Sequence, residues 1–138
     1  MKTILSTIFI FLFLSTAGAS QYNYMAAEDL KTRIGSNDDI LIVDIQVKDE
    51  FDQHHIPGSL ATHAFPVKSD DDRARLTPIV ELQQTDSRPL VIVCPRGAGG
   101  AKRTYDYFVD QGIPSDRLWI LQKGMSGWNY EELTTVVN

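Results

Sequence analysis

The sequence lacks most of the features that would place it at a glance. It has a single cysteine, Cys94, so no internal disulfide framework can staple it. It has no basic excess: 13 Lys and Arg stand against 18 Asp and Glu, for a formal net charge of −5. That argues against nucleic acid as a partner, because binding a phosphate backbone rewards a basic surface. No internal repeat and no low-complexity tract is present, which speaks against a solenoid or a disordered chain. The longest apolar stretch, "TILSTIFIFLFLST" at 3–16, falls short of the roughly 20 residues that a membrane-spanning helix needs.

That stretch fits another role. It follows the positive start Met1-Lys2 and precedes the small residues "AGA" at 17–19. This is the pattern of a secretory signal peptide cleaved after Ala19. The expected organisation is therefore a signal over 1–19 and one domain over 20–138, exported, and periplasmic if the source is a Gram-negative bacterium. No cysteine lies at the cleavage point to carry a lipid anchor, so no membrane attachment is expected after processing. Loss of Lys2 takes the net charge from −5 to −6. A domain of this length can bury a core of its own.

The rest of the chain alternates apolar runs with amphipathic ones. "AAEDLKTRIG" (26–35) places Ala27, Leu30 and Ile34 on one helical face, with Gly35 as a stop. "ILIVDI" (40–45), "PLVIVC" (89–94) and "RLWIL" (117–121) are continuous apolar runs, as expected of strands covered on both faces. "VKDEFDQHH" reads as a short helix or turn, and a further short strand is expected near 60–64. "SDDDRAR" reads as a charged surface loop and "PIVELQQ" (78–84) as a two-turn helix. "AGGAKRTYDYFVDQG" predicts a helix with Ala101, Tyr105, Phe108 and Val109 facing inward and Gly112 closing it. "KGMSGWNYEEL" predicts a last helix, Trp119 and Trp128 are expected in the core, and Tyr22 and Tyr24 sit in an N-terminal arm without a pattern. Strands alternating with helices imply a single α/β domain with a central, mostly parallel sheet flanked by helices. In such sheets ligands bind beyond the carboxyl ends of the strands.

Cys94 stands at such an end. A lone cysteine in an exported chain is a reactive or intermolecularly bonded thiol, or else a small buried hydrophobe. Its surroundings favour the reactive thiol. A thiol attacks only as the thiolate, which a helix N-terminus and nearby cations favour. The residues that follow are "PRGAGGA", in which Gly97, Gly99 and Gly100 let the backbone curl. The N–H groups of residues 96–100, Ala98 included, can then form an anion-holding concavity ahead of the helix. Pro95 stiffens the loop and brings no N–H of its own. Arg96 lies within the loop, and one of Lys102 and Arg103, a turn into the helix, is expected at its mouth. We assign Cys94 as nucleophile, and Arg96, Gly97, Ala98, Gly99, Gly100 and Lys102 to substrate binding.

Together these residues resemble the rhodanese superfamily. "ILIVDIQVKDEFDQHHIPGSLA" (40–61) is similar to its first signature: strand, Asp44, Glu50-Phe51, then His55-Ile56-Pro57-Gly58. "VIVCPRGAGGAKR" (91–103) resembles the active-site loop, and "LQKGMSGW" (121–128) the closing signature. The resemblance implies a sulfurtransferase with a single rhodanese-like domain. Cys94 would take sulfane sulfur from a small donor such as thiosulfate, polysulfide or a persulfide. The resulting persulfide would pass that sulfur to a thiol or cyanide, with no metal and no organic cofactor. An alternative is a carrier that delivers sulfur to a partner protein with little turnover. Turnover with small molecules separates the two. The chain departs from the family where Gln46 replaces an arginine of the first signature, where Pro95 replaces a frequent arginine after the cysteine, and where Gly99 replaces an arginine or threonine of the loop. With fewer fixed charges, the loop suits polysulfide or a persulfide as well as thiosulfate.

Three rivals are weaker. A related phosphatase needs an arginine six positions beyond its cysteine, to hold phosphoryl oxygens in a bidentate grip, and here that position is Gly100. A metal site built from Cys94 with His54, His55 and His63 lacks ligand spacing. His55 is expected instead to make a structural hydrogen bond. A rhodanese-like domain used only for binding would have no need of the thiol.

Overall fold

The computed structural model of the protein describes residues 21–137, so the signal-peptide expectation for 1–19 lies outside the described residues. In chain order the elements are β1 (Tyr24–Met25), α1 (Ala27–Gly35), β2 (Leu41–Asp44), α2 (Lys48–Gln53), β3 (Leu60–Ala61), α3 (Asp70–Ala74), α4 (Thr77–Gln83), β4 (Leu90–Val93), α5 (Gly99–Asp110) and β5 (Leu118–Leu121). Three 3-10 turns lie at Ser115–Arg117, Gly124–Gly127 and Glu131–Leu133. The five strands form one sheet in the order β1-β5-β4-β2-β3, and each pairing is parallel. This is the expected α/β domain. Among the described residues, no helix is long and apolar enough to cross a membrane.

Strand period explains both the continuous apolar runs and the position of the cysteine. Successive side chains point to opposite faces, so a strand covered on both sides is apolar throughout. Leu90, Ile92 and Cys94 pack with Leu41, Val43, Ile45, Leu118 and Ile120 on the face covered by α5, through Ala101, Tyr105 and Phe108. Val91 and Val93 turn to the other face, with Ile42, Leu121 and Leu30 of α1. Cys94 follows the last residue of β4 by one position, and its side chain is directed toward the α5 face.

Several expectations need correction. Asp70–Ala74 is a helix, where a loop was expected. The Ser69 hydroxyl accepts the Asp72 N–H at 3.1 Å, and the Asp72 carboxylate accepts the Ser69 N–H at 3.2 Å. This capping box satisfies two otherwise orphaned donors, and three aspartates suit the positive end of a helix. Ser69→Ala is expected to cost about 1 kcal/mol, read as a lower urea midpoint with an unchanged slope. The expected last helix is absent; Gly124–Gly127 and Glu131–Leu133 are 3-10 turns. Val109 is 41% exposed, and Thr104 takes its place on the buried face of α5. Residues 101, 104, 105 and 108 are the helical stripe. The N-terminal arm supplies the edge strand β1: Asn23 and Met25 carbonyls accept the N–H groups of Ile120 and Gln122, each at 2.8 Å. Trp128 is buried, whereas Trp119 is only partly covered.

Candidate active site

The loop from Cys94 to the start of α5 surrounds a cavity of about 290 Å³. Its lining is Glu50, Phe65, Cys94, Pro95, Arg96, Ala98, Gly99, Gly100 and Arg103. Cys94 forms its floor and is 1% exposed. The Gly97 N–H donates to Cys94 Sγ at 2.9 Å. Gly97 has φ +67°, a left-handed conformation that glycine adopts without strain. Thus Gly97 is off the wall of the cavity yet touches the Cys94 sulfur through its backbone N–H.

The loop is held from below by the closing motif. The N–H groups of Met125 and Ser126 donate to the carbonyls of Cys94 and Pro95, each at 2.9 Å. Gly124 has φ +54°, and a Cβ there would lie 2.0 Å from the Cys94 carbonyl oxygen and 2.6 Å from the Gly97 nitrogen. The two glycines face one another, since a Cβ at Gly97 would meet the nitrogens of Lys123 and Gly124 at 2.7 and 2.9 Å. "LQKGMSGW" therefore shapes the cysteine loop by direct backbone contact. Sequence reading finds the motif but not this contact, because the two segments meet only after β4 and β5 pair.

Of the assigned substrate-binding residues, the structure brings Arg96, Ala98, Gly99 and Gly100 to the cavity wall with Cys94. It does not bring Lys102, whose ammonium lies over the Tyr22 ring at 5.6 Å. The cation of α5 that lines the cavity is Arg103. A helical side chain leans toward the N-terminus and over the residue four positions earlier. For Arg103 that residue is Gly99, and the Pro66 carbonyl holds the guanidinium there, accepting from Nε and Nη2 at 3.0 and 2.8 Å. Glu50 and Phe65 also line the cavity, outside the assigned set. Glu50 belongs to the first signature and could have been found there, but Phe65 carries no local signal. It arrives from the segment after β3, where its N–H donates to the Ile45 carbonyl at 2.8 Å. Gly100 is packed against that ring: a Cβ at 100 would meet Phe65 at 2.8 and 2.9 Å. An arginine six positions beyond the cysteine has no room here.

Behind the cavity, Asp44 is fully buried at the end of β2. Its carboxylate accepts the Gln46 N–H at 2.8 Å and the Gln46 side-chain amide at 3.0 Å. That amide also donates to the His54 carbonyl at 3.0 Å. Burial pushes the Asp44 carboxyl up to about 6, against the pull of the two Gln46 hydrogen bonds and of the nearby His55 and His63. A neutral glutamine therefore supplies both hydrogen bonds to this aspartate. His55 stacks on Phe51 at 3.8 Å and bonds the Phe51 carbonyl through Nδ1 at 2.7 Å; His63 bonds the Gln46 carbonyl at 3.0 Å. Among the described residues, no three His, Cys, Asp or Glu side chains gather into a metal-holding group.

Comparison with known proteins agrees with this architecture. The family model described as Rhodanese-like domain matches residues 26–131. No curated protein sequence matches the chain. Among solved structures, a yeast protein tyrosine phosphatase of the Rhodanese family superposes with a TM-score of 0.66 at 17% identity, covering 88% of this chain and 96% of its own. A Rhodanese-like domain protein from Staphylococcus aureus gives 0.60 at 20% identity, over 84% of this chain and 99% of its own. A thiosulfate sulfurtransferase from Pseudomonas aeruginosa gives 0.61 at 18% identity, over 85% of this chain but only 21% of its own. At these identities the likeness is one of fold.

Proposed function

The chain belongs to the rhodanese-like domain family, and on that premise we propose that it moves sulfane sulfur from a small donor to a thiophilic acceptor through a persulfide on Cys94. The observation that carries the reading is the Gly97 N–H donating to Cys94 Sγ at 2.9 Å on the floor of a cavity at the N-terminus of α5. A backbone donor and a helix dipole aimed at one sulfur favour an anion there before and after transfer. Such fixed dipoles need no reorganisation as charge moves from thiolate to persulfide.

The two half-reactions balance without an outside oxidant. The Cys94 thiolate attacks the outer sulfur of a donor such as thiosulfate or polysulfide. The donor's sulfur–sulfur bond breaks, and the leaving group departs with the electron pair. In the second half, a thiol in the cell or cyanide in the test tube attacks the outer persulfide sulfur and restores the Cys94 thiolate. A protein thiol could serve as the acceptor in place of a small molecule. We also read residues 1–19 as an export signal, which would put this chemistry outside the cytoplasm.

Steady-state thiocyanate release by the purified protein tests turnover. Varying thiosulfate or polysulfide at several cyanide concentrations is expected to give the parallel reciprocal lines of a double displacement. Stoichiometric release without turnover would mark a carrier, and intersecting lines would contradict a free persulfide intermediate.

A further inference from the structure

We propose that Arg103 is the oxyanion-binding residue of this site and that Gly99 leaves it the room to act. The preferred donor then carries an oxyanion beside its sulfane sulfur, as thiosulfate does. This deepens the sulfurtransferase reading above and rests on it.

The guanidinium of Arg103 is fixed before any ligand arrives. Nε and Nη2 both donate to the Pro66 carbonyl, at 3.0 and 2.8 Å. That grip leaves the Nη1 amino group without a protein partner among the described residues. Nη1 lies against Gly99: a Cβ at that position would come within 2.8 Å of it, and within 3.5 Å of Cζ and Nη2. Gly99 has ordinary helical backbone, so no left-handed conformation calls for glycine there. A side chain there would meet the guanidinium and push it from its place. The loop therefore lacks a side chain at 99, and a cation from the next helical turn occupies the mouth instead.

Charge and chemistry agree with that placement. The cavity holds two cations, Arg96 and Arg103, against one carboxylate, Glu50. Lys102 is held away over Tyr22 and does not add to them. When the Cys94 thiolate takes the outer sulfur of thiosulfate, the sulfur–sulfur bond breaks and sulfite leaves with the electron pair. Negative charge stays on the sulfite oxygens throughout, and a planar guanidinium is suited to bind them. Polysulfide loads the same thiolate but offers no oxygen to bind.

Loading of Cys94 from thiosulfate and from polysulfide, measured side by side, tests the assignment. Arg103→Met is expected to lower kcat/KM for thiosulfate at least about tenfold more than for polysulfide, mainly through KM, as loss of a hydrogen bond to a charged ligand does. Gly99→Ala should shift preference in the same direction. The double variant should be no worse on thiosulfate than Arg103→Met alone, because both changes remove one interaction. Arg103→Lys should recover part of the preference by keeping the charge without the two-bond grip on Pro66. Equal losses on both donors would overturn the proposal and leave Arg103 as a brace for Pro66. Full additivity of the two substitutions would overturn it as well. Wild-type protein that loads from polysulfide and ignores thiosulfate would overturn this inference alone. Loading from neither donor would remove the sulfurtransferase reading beneath it.

Discussion

Gly124→Ala is expected to lower sulfur loading of Cys94 by at least about 100-fold and to destabilise the fold by several kcal/mol, on the order of 3 or more. The added methyl carbon would sit 2.0 Å from the Cys94 carbonyl oxygen, 2.6 Å from the Gly97 nitrogen and 2.8 Å from the Arg96 nitrogen. All three are backbone atoms, so no side chain can swing aside. Relief requires separating the cysteine loop from the closing motif, at the cost of the Met125 and Ser126 hydrogen bonds to Cys94 and Pro95. Each buried bond left unmade costs about 1–3 kcal/mol, and a left-handed alanine adds about 1 more. Separation also withdraws the Gly97 N–H from Sγ. Gly112→Ala is the matched control: φ is +90° there too, but nothing lies within 4 Å of the new Cβ. It should lose about 1–2 kcal/mol and keep loading. Thermal unfolding and loading of both variants check the pair. Equal behaviour of the two would show that backbone conformation, and not contact with the loop, makes Gly124 necessary.

Asp44 should make the fold weaken as pH rises from about 4 through about 6. Its carboxyl is pushed up to about 6 from an ordinary 3.8, so the folded state holds a proton that the unfolded chain has released. A raised pKa contributes stability that is full below the unfolded value and gone above the folded one. A shift of that size corresponds to about 3 kcal/mol. Partly exposed carboxylates such as Asp72 and Asp86, held below their usual range by hydrogen bonds, tilt the profile the other way. The comparison with Asp44→Asn isolates the buried group. Urea unfolding at pH 4.5, 5.5 and 7 should show the wild type losing about 2 kcal/mol of those 3 relative to Asp44→Asn across the range, the rest being lost already below pH 4.5. Parallel profiles would mean that Gln46 offsets the burial completely.

Much of this fold was legible because its strongest signals are short-range. The runs 40–45, 89–94 and 117–121 are apolar almost throughout, with Asp44 and Arg117 as the charged exceptions, as a short strand covered on both faces requires. Cys94 followed by glycines and a helical stripe likewise announced a strand–loop–helix turn. What escaped was decided by capping or by distant partners. Asp70–Ala74 is polar and short, and its helix rests on the exchange of hydrogen bonds between Ser69 and Asp72. The spacing S-x-x-D was readable, but the density of charge suggested a loop. β1 has two residues, and its pairing exists only because β5 offers an edge. Lys102 and Arg103 are adjacent cations that composition cannot separate. Partners from other parts of the chain separate them: the Pro66 carbonyl holds Arg103 at the cavity, and the Tyr22 ring lies under Lys102.

The central claim is that Cys94 carries sulfur, and intact-protein mass measures this directly. Reduced protein is incubated briefly with thiosulfate, and separately with polysulfide, beside Cys94→Ser; cyanide is then added. The account predicts a gain of whole sulfur atoms on the wild type alone, discharged by cyanide as thiocyanate. No gain from either donor, or an equal gain on Cys94→Ser, would contradict it.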